Sequence, residues 1–276
     1  MSATTTEFPT NPGNALTDTW VITKRNLVRN VRLPQLLIFS TAQPIMFLVL
    51  FNVVFGGAVG DSIPAVADGN YLNFLLPGLL VQISAFGAGQ TALGLSEDLN
   101  KGVISRFRSL PMSRAAVLAG RTFADLIRSA FVMTLMLVVG FGMGFRYQTS
   151  FPRFVSGVLV VLAFSYALSW VMAVIGLKIR TPEAVQSAVF LPVFPMVFAS
   201  AVFVPTDTMP SWLRGFAENQ PVTAVAEAAR GLILGQGALA PGQTVAGQVL
   251  IALLWCAVIT VVAAPLAVRV YRQSAS

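Results

Sequence analysis

The side chains that could do chemistry in this chain are few, and their placement points away from catalysis. Histidine is absent, and cysteine occurs once, at Cys256, inside a long apolar run. The commonest general base and metal ligand is therefore missing, and no disulfide can close within the chain. The acidic residues are scattered, not gathered into an acid–base or metal-ligand pattern. No G-x-x-x-x-G-K-[ST] occurs, so the chain does not hold ATP as a P-loop protein does.

Charge is concentrated instead in one stretch, EDLNKGVISRFRSLPMSRAAV, from Glu97 to Val117, in a sequence with only 11% charged residues. Ser96 is spaced to cap a helix whose first turn holds Glu97 and Asp98. Leu99, Val103, Phe107 and Leu110 then recur on one face, with Glu97, Lys101, Ser105 and Arg108 on the other. Gly102 invites a bend, Pro111 ends the helix, and Ser113 can cap the next one. An apolar stripe on a water-facing helix calls for a partner surface, so this stretch reads as a docking element.

The elements that must carry it are membrane helices. Mean hydropathy is +0.75 and 55% of residues are hydrophobic, more than a soluble domain of this size needs. Long charge-free runs predict six spans, at about 35–56, 71–94, 118–144, 154–177, 184–204 and 246–268. The fold class is an all-α polytopic membrane protein. The third span must include Asp125 and Arg128; Asp125 can pair with Arg128 or with Arg121 four residues earlier, near the membrane edge. Of the 18 Lys and Arg residues, thirteen fall on the side of both termini, four on the other, and Arg128 lies within a span. That asymmetry puts both termini in the cytoplasm. The net charge of +7 is thus a matter of orientation, not of nucleic-acid binding. The first apolar run is too long for a cleaved signal and reads as an anchor.

Residues 1–13, rich in Thr and Pro, read as a disordered tail, and 269–276 as a cytoplasmic tail. Residues 14–33 read as an amphipathic helix lying flat on the inner leaflet. Leu16, Trp20, Leu27 and Val31 fall on one side, and Arg25, Arg29 and Arg32 on the other. The loop 205–245 is long yet nearly uncharged. It holds two short amphipathic pieces, Ser211–Ala217 with Trp212 and Phe216 four apart, and a helix capped by Thr223 and ended by Gly235 and Gly237. Such pieces dip into the outer leaflet or pack on the bundle. Gly140 and Gly144 form a G-x-x-x-G that reads as close helix packing.

Three stretches, in order, carry a resemblance. "GVISRFRSLPMSRAAVLAGRTFADLIRS", "QPIMFLVLFNVVFGG" from Gln43 and "ENQPVTAVAEAARGLILG" from Glu218 resemble type-2 ABC exporter permeases, closest to the daunorubicin-resistance (DrrB-like) subgroup. The likeness extends over nearly the whole chain beyond residue 14, with Asn219-Gln220-Pro221 where the family usually has Asn-Pro. It implies a half-transporter in the bacterial plasma membrane that pairs with a second permease chain, identical or related. Two copies of a cytoplasmic ABC ATPase would supply the ATP and Mg sites, with no cofactor on this chain. It places the ATPase-coupling helix at about Gly102–Leu110, involving Glu97, Lys101, Gly102, Arg106, Phe107, Arg108 and Leu110, and makes 14–32 the connecting helix. It also places an outer gate in 205–245, with Trp212, Phe216, Glu227 and Arg230 as its residues.

An apolar or amphipathic cargo such as a drug, an antibiotic or a lipid needs apolar and aromatic walls. Gln82, Phe86 and Gln90 on the second span and Phe190, Phe194 and Phe198 on the fifth supply candidates; helix packing or lipid contact is the competing reading for each. Ion-coupled secondary transport is a second reading, weakened because only Asp125 and Arg128 are ionisable within the spans. A membrane-embedded lipid-modifying enzyme is a third, lacking a nucleophile or metal cluster.

Overall fold

Asn70 starts the helix around which the others are arranged: its Oδ1 accepts a hydrogen bond from the Leu72 amide at 3.0 Å, capping a helix from Tyr71 to Asn100. The computed structural model describes residues 15–32, 34–56, 70–103, 114–179 and 181–273. Among these are nine α-helices and no strand. They are α1 (Ala15–Arg32), α2 (Pro34–Phe55), α3 (Tyr71–Asn100), α4 (Arg114–Gly142), α5 (Phe151–Lys178), α6 (Pro182–Phe198), α7 (Ser211–Glu218), α8 (Pro221–Leu234) and α9 (Val245–Gln273).

Among the described residues, four helices, α3, α4, α5 and α9, are long and apolar enough to cross a bilayer. They differ in what surrounds them. The most apolar window of α3 is 83% buried, that of α9 only 17%. α3 is therefore the central post, and α9 lies at the periphery with Leu254, Val258, Val261 and Val262 pointing outward. Because lipid tails are as apolar as the helices, association rests on close packing, and glycines provide it. A Cβ at Gly176 of α5 would lie 2.6 Å from the Cα of Ala92 of α3, and one at Gly140 of α4 would lie 2.6 Å from Leu76 Cδ2. Gly140 is thus a packing residue. Gly144 lies past the helix end at φ 104°, so the pair does not act as one motif.

The structure changes three expectations. Ser96 does not cap a new helix: α3 runs unbroken to Asn100, and Glu97 and Asp98 sit in its last turn. The helix dipole disfavours carboxylates there, and basic side chains of α1 and α4 offset this, as described below. The helix in the fifth apolar run ends at Phe198, where Pro192 and Pro195 have removed backbone donors. At 17 residues, α6 is about 26 Å long at 1.5 Å per residue. The helix expected to begin at Thr223 begins at Pro221, with Gln220 as its cap residue. Thr223 lies inside it, where its Oγ1 accepts a hydrogen bond from the Ala201 amide at 3.1 Å.

α1 is amphipathic, but the face it buries is not the apolar one. Asp18, Ile22, Thr23 and Asn26 are buried, while Leu16, Trp20, Val21 and Val28 are exposed. Gly120 explains the choice, because its bare Cα lets α4 approach Thr19 and Ile22 closely, and Thr23 Oγ1 donates to Gly120 O at 3.1 Å. The tail 1–13 lies outside the described residues.

Candidate functional site

Two arrangements stand out: an ion network at one end of α3 and a groove beside its middle. The network begins where α3 leads into the connection to α4. Arg29 of α1 pairs with Glu97 and, at 3.6 Å, with Asp98; Arg25 reaches Asp98 at 4.0 Å and Lys101 reaches Glu97 at 3.2 Å. Asp98 is also 3.7 Å from Arg121 of α4. Arg121 Nη1 donates to Asn26 Oδ1 at 3.3 Å, Nη2 to Gln90 O at 3.2 Å, and Nε to Asp125 Oδ2 at 3.3 Å. Thr91 Oγ1 donates to the same Asp125 oxygen at 2.7 Å, and Arg128 Nε lies 3.7 Å from Oδ1. The outcome is a continuous ladder of charge joining α1, α3 and α4. The two pairings open to Asp125 in the sequence both occur.

The ladder ends at the groove. Arg128 and Ser129 line a cavity of about 120 Å³ together with Gln43 of α2 and Gln82 and Gln90 of α3. A second chamber of about 430 Å³ adjoins it and shares Gln43, Phe47, Gln82, Phe86 and Gln90. All six residues expected to contact cargo line this one chamber: Gln82, Phe86 and Gln90 from α3, and Phe190, Phe194 and Phe198 from α6. The α6 rings form a ladder, with centroids 5.0 Å apart from Phe190 to Phe194 and 4.3 Å from Phe194 to Phe198. Phe203 and Phe51 continue it at 5.1 and 4.8 Å. Such rings offer a broad, polarisable surface without fixed hydrogen-bond demands.

At the opposite end of α3, twelve of the fourteen α8 residues are buried. Arg230 is 2% exposed, stacks 3.7 Å over the Phe74 ring, and donates to Phe74 O at 3.0 Å and Val202 O at 2.7 Å. Burial pulls its guanidinium down to about 10, partly opposed by Glu227 and Tyr71. Burial likewise raises the Glu227 carboxyl, against the pull of Arg230. Trp212 and Phe216 of α7 are 79% and 49% exposed. The four residues expected at an outer gate thus divide into an exposed aromatic pair, a buried Arg230 and a half-buried Glu227.

An all-helical bundle with an apolar groove and no converging metal ligands among its described residues has the parts of a conduit. Residues 17–234 match the family described as ABC-2 type transporter. The chain belongs to that family. It is 34% identical over 242 residues to the daunorubicin resistance ABC transporter permease protein DrrB1 of Streptomyces coeruleorubidus, an alignment covering 87% of this chain and 81% of that protein. It is 27% identical over 253 residues to the probable doxorubicin resistance ABC transporter permease protein DrrC of Mycobacterium tuberculosis, covering 91% and 87%. Against the putative transport permease ycf38 of Cyanophora paradoxa the figures are 26% over 212 residues, 76% and 72%. This is an ABC-2 permease subunit, a membrane protein that transports with an ATPase partner.

In this permease Glu97, Lys101 and Gly102 are placed, the last at φ 65° in the turn after α3. Arg106, Phe107, Arg108 and Leu110 lie outside the described residues. Sequence reasoning missed Asp98, Arg29 and Thr91 as members of the ion ladder. It also missed Gln43 and Gln186, which line the groove. The signal that singled out Gln82 and Gln90, an amide in an apolar run, would have found both.

Proposed function

We propose that this permease is half of an ATP-driven exporter that moves a hydrophobic or amphipathic cargo, drug or lipid, through the groove between α2, α3 and α6. The observation that carries this reading is the convergence of Gln82, Phe86, Gln90, Phe190, Phe194 and Phe198 on one chamber. The groove is bounded on two sides by the apolar helices α2 (Pro34–Phe55) and α6 (Pro182–Phe198), which we take as two further spans, making six. At 22 residues α2 is about 33 Å long and spans a hydrocarbon layer about 30 Å thick, whereas α6 at about 26 Å is short for it, a length that local thinning or a second permease chain seated on this face would accommodate. The names of the two drug-resistance relatives supply the drug half of the cargo class.

The termini face the cytoplasm of a bacterial cell, on the charge asymmetry already described. Two ATPase subunits, each bringing ATP and Mg, dock on the 101–113 connection, and the ladder from Glu97 to Arg128 links that connection to the groove. α1 lies along the inner leaflet, and α7 with α8 closes the outer end.

The test is reconstitution with the cognate ABC ATPase. Amphipathic compounds should stimulate ATP hydrolysis, and Phe194→Ala should abolish the stimulation while keeping the basal rate. Failure of the chain to capture any ATPase, or ATP-driven export that survives Arg106→Glu with Arg108→Glu, would overturn the reading.

A further inference from the structure

The groove is chemically one-sided. No carboxylate is among the described residues that line either chamber, whereas Arg128 lines the smaller one. That side chain is 10% exposed. A guanidinium has five N–H groups. Arg128 uses Nη2 to donate to Gly87 O at 2.7 Å, and its Nε has no hydrogen-bond partner among the described residues. Its nearest counter-ion, Asp125, is 3.7 Å from Nε, beyond a hydrogen bond, and the other Asp125 oxygen already accepts from Thr91 and Arg121.

Gln82 adds a second, independent sign. It is 4% exposed and borders both chambers. Its amide is not enclosed and opens onto the chamber, where it can donate to a ligand. Ser129 points the same way: its Oγ accepts from Ser165 Oγ at 3.1 Å and keeps its own proton to donate.

We propose that the smaller chamber binds the anionic head, a carboxylate or a phosphate, of an amphipathic cargo whose apolar body lies along the aromatic chamber. The inference rests on the groove being the cargo pathway and adds a class to it. The volumes agree, with about 120 Å³ at the polar end for a head group and about 430 Å³ beside the Phe190, Phe194 and Phe198 rings for a body. Arg128, Gln82 and Ser129 all offer donors. A cationic head placed in the smaller chamber would meet the Arg128 charge, which Asp125 only partly offsets at 3.7 Å, with no carboxylate among the described lining residues to receive it.

The experiment uses three probes with one tail: oleyl phosphate, oleyl alcohol and oleylamine, radiolabelled, bound to the full chain in phosphatidylcholine nanodiscs. Oleyl phosphate should bind about ten-fold tighter than the alcohol, the scale of one charge-assisted contact, and oleylamine weakest. Arg128→Met should bring oleyl phosphate down to the level of the alcohol and leave the alcohol unchanged. Arg128→Lys should fall between. Gln82→Leu, which removes no charge from the ladder, should reduce the preference without touching Asp125. Equal binding of the three probes, or a preference that survives both Arg128→Met and Gln82→Leu, overturns the assignment. Phe194→Ala separates this failure from failure of the pathway reading. If it weakens all three probes alike while no head preference exists, only the head-group assignment falls; if no probe binds, or the variant changes nothing, the groove is not the pathway and both fall.

Discussion

Arg121 of α4 sets its guanidinium 3.7 Å from the Asp98 carboxylate of α3, in a notch that exists because residue 94 is glycine. A Cβ at that position would overlap Arg121 Nη2. Both partners are about one-tenth exposed, so the pair is held in a mostly dry environment where each charge depends on the other. Through Asp98 the contact ties α4 to the two α1 arginines, and through Asp125 it runs on to Arg128 at the groove.

Removing one partner of a buried ion pair leaves the other uncompensated. Asp98→Asn strips Arg121, Arg25 and Arg29 of a shared acceptor, and a loss of about 3–5 kcal/mol is expected. Lys101→Ala removes a pair whose lysine is 63% exposed, for which less than about 1 kcal/mol is expected. Thermal unfolding of the two variants in one detergent distinguishes them. Equal melting temperatures would show that the ladder is decoration and not a brace.

The crossing of α3 and α5 depends on a single missing methyl group. Gly176→Ala would press a Cβ into the Ala92 backbone, which cannot rotate away, so the helices must separate. A loss of about 1–3 kcal/mol is expected, as for other overpacked cores. Gly142, at the end of α4, has nothing within 4 Å of the position its Cβ would take, and Gly142→Ala should be silent. The yield of monodisperse protein and its melting temperature read both variants; an unaffected Gly176→Ala would refute the close approach.

How much of this was visible beforehand depended on whether a signal is local. Gln82, Phe86, Gln90 and the three α6 phenylalanines stood out as polar or aromatic residues in apolar runs, and the fold gathers all six. Gln43 and Gln186 carry the same local mark and were passed over. Asp98 could not be read, because its partners, Arg25, Arg29 and Arg121, come from two other helices. The end of α3 was misplaced for a related reason. Hydropathy falls where charge begins, but a helix continues when neighbours neutralise that charge. The role of Arg230 was hidden by distance along the chain, since its acceptors belong to residues 156 and 28 positions away.

Glu227 and Arg230 give the loop end of the molecule a pH signature. Burial raises the Glu227 carboxyl above its ordinary 4.5, so between these two values the native state binds more protons than the unfolded chain. Stability from this group is therefore complete below 4.5 and declines as pH rises through the raised native value. Glu227→Gln removes the penalty of this partly desolvated charge. Its melting temperature should exceed that of the parent protein more at pH about 8 than at pH about 3, well below the ordinary carboxyl range, where both side chains are neutral in the folded and the unfolded chain. A difference that does not vary with pH would mean that Glu227 is solvated and that α8 is not packed as described.

Gly102 offers a test of the proposed coupling between the end of α3 and transport. It sits at φ 65°, and a Cβ there would meet nothing within 4 Å, so the demand for glycine comes from the backbone alone. A β-branched side chain in this left-handed conformation costs roughly 1–2 kcal/mol, while Asn tolerates it. Gly102→Val should therefore re-aim the connection that leaves α3 and uncouple ATP hydrolysis from export, with the basal hydrolysis of the ATPase retained. Gly102→Asn should transport nearly as well as the parent. Transport and ATP hydrolysis measured on the same vesicles give the ratio that matters. If Val and Asn lower that ratio equally, lost flexibility at residue 102 is responsible and the turn geometry is not; if neither lowers it, the end of α3 does not carry the stroke.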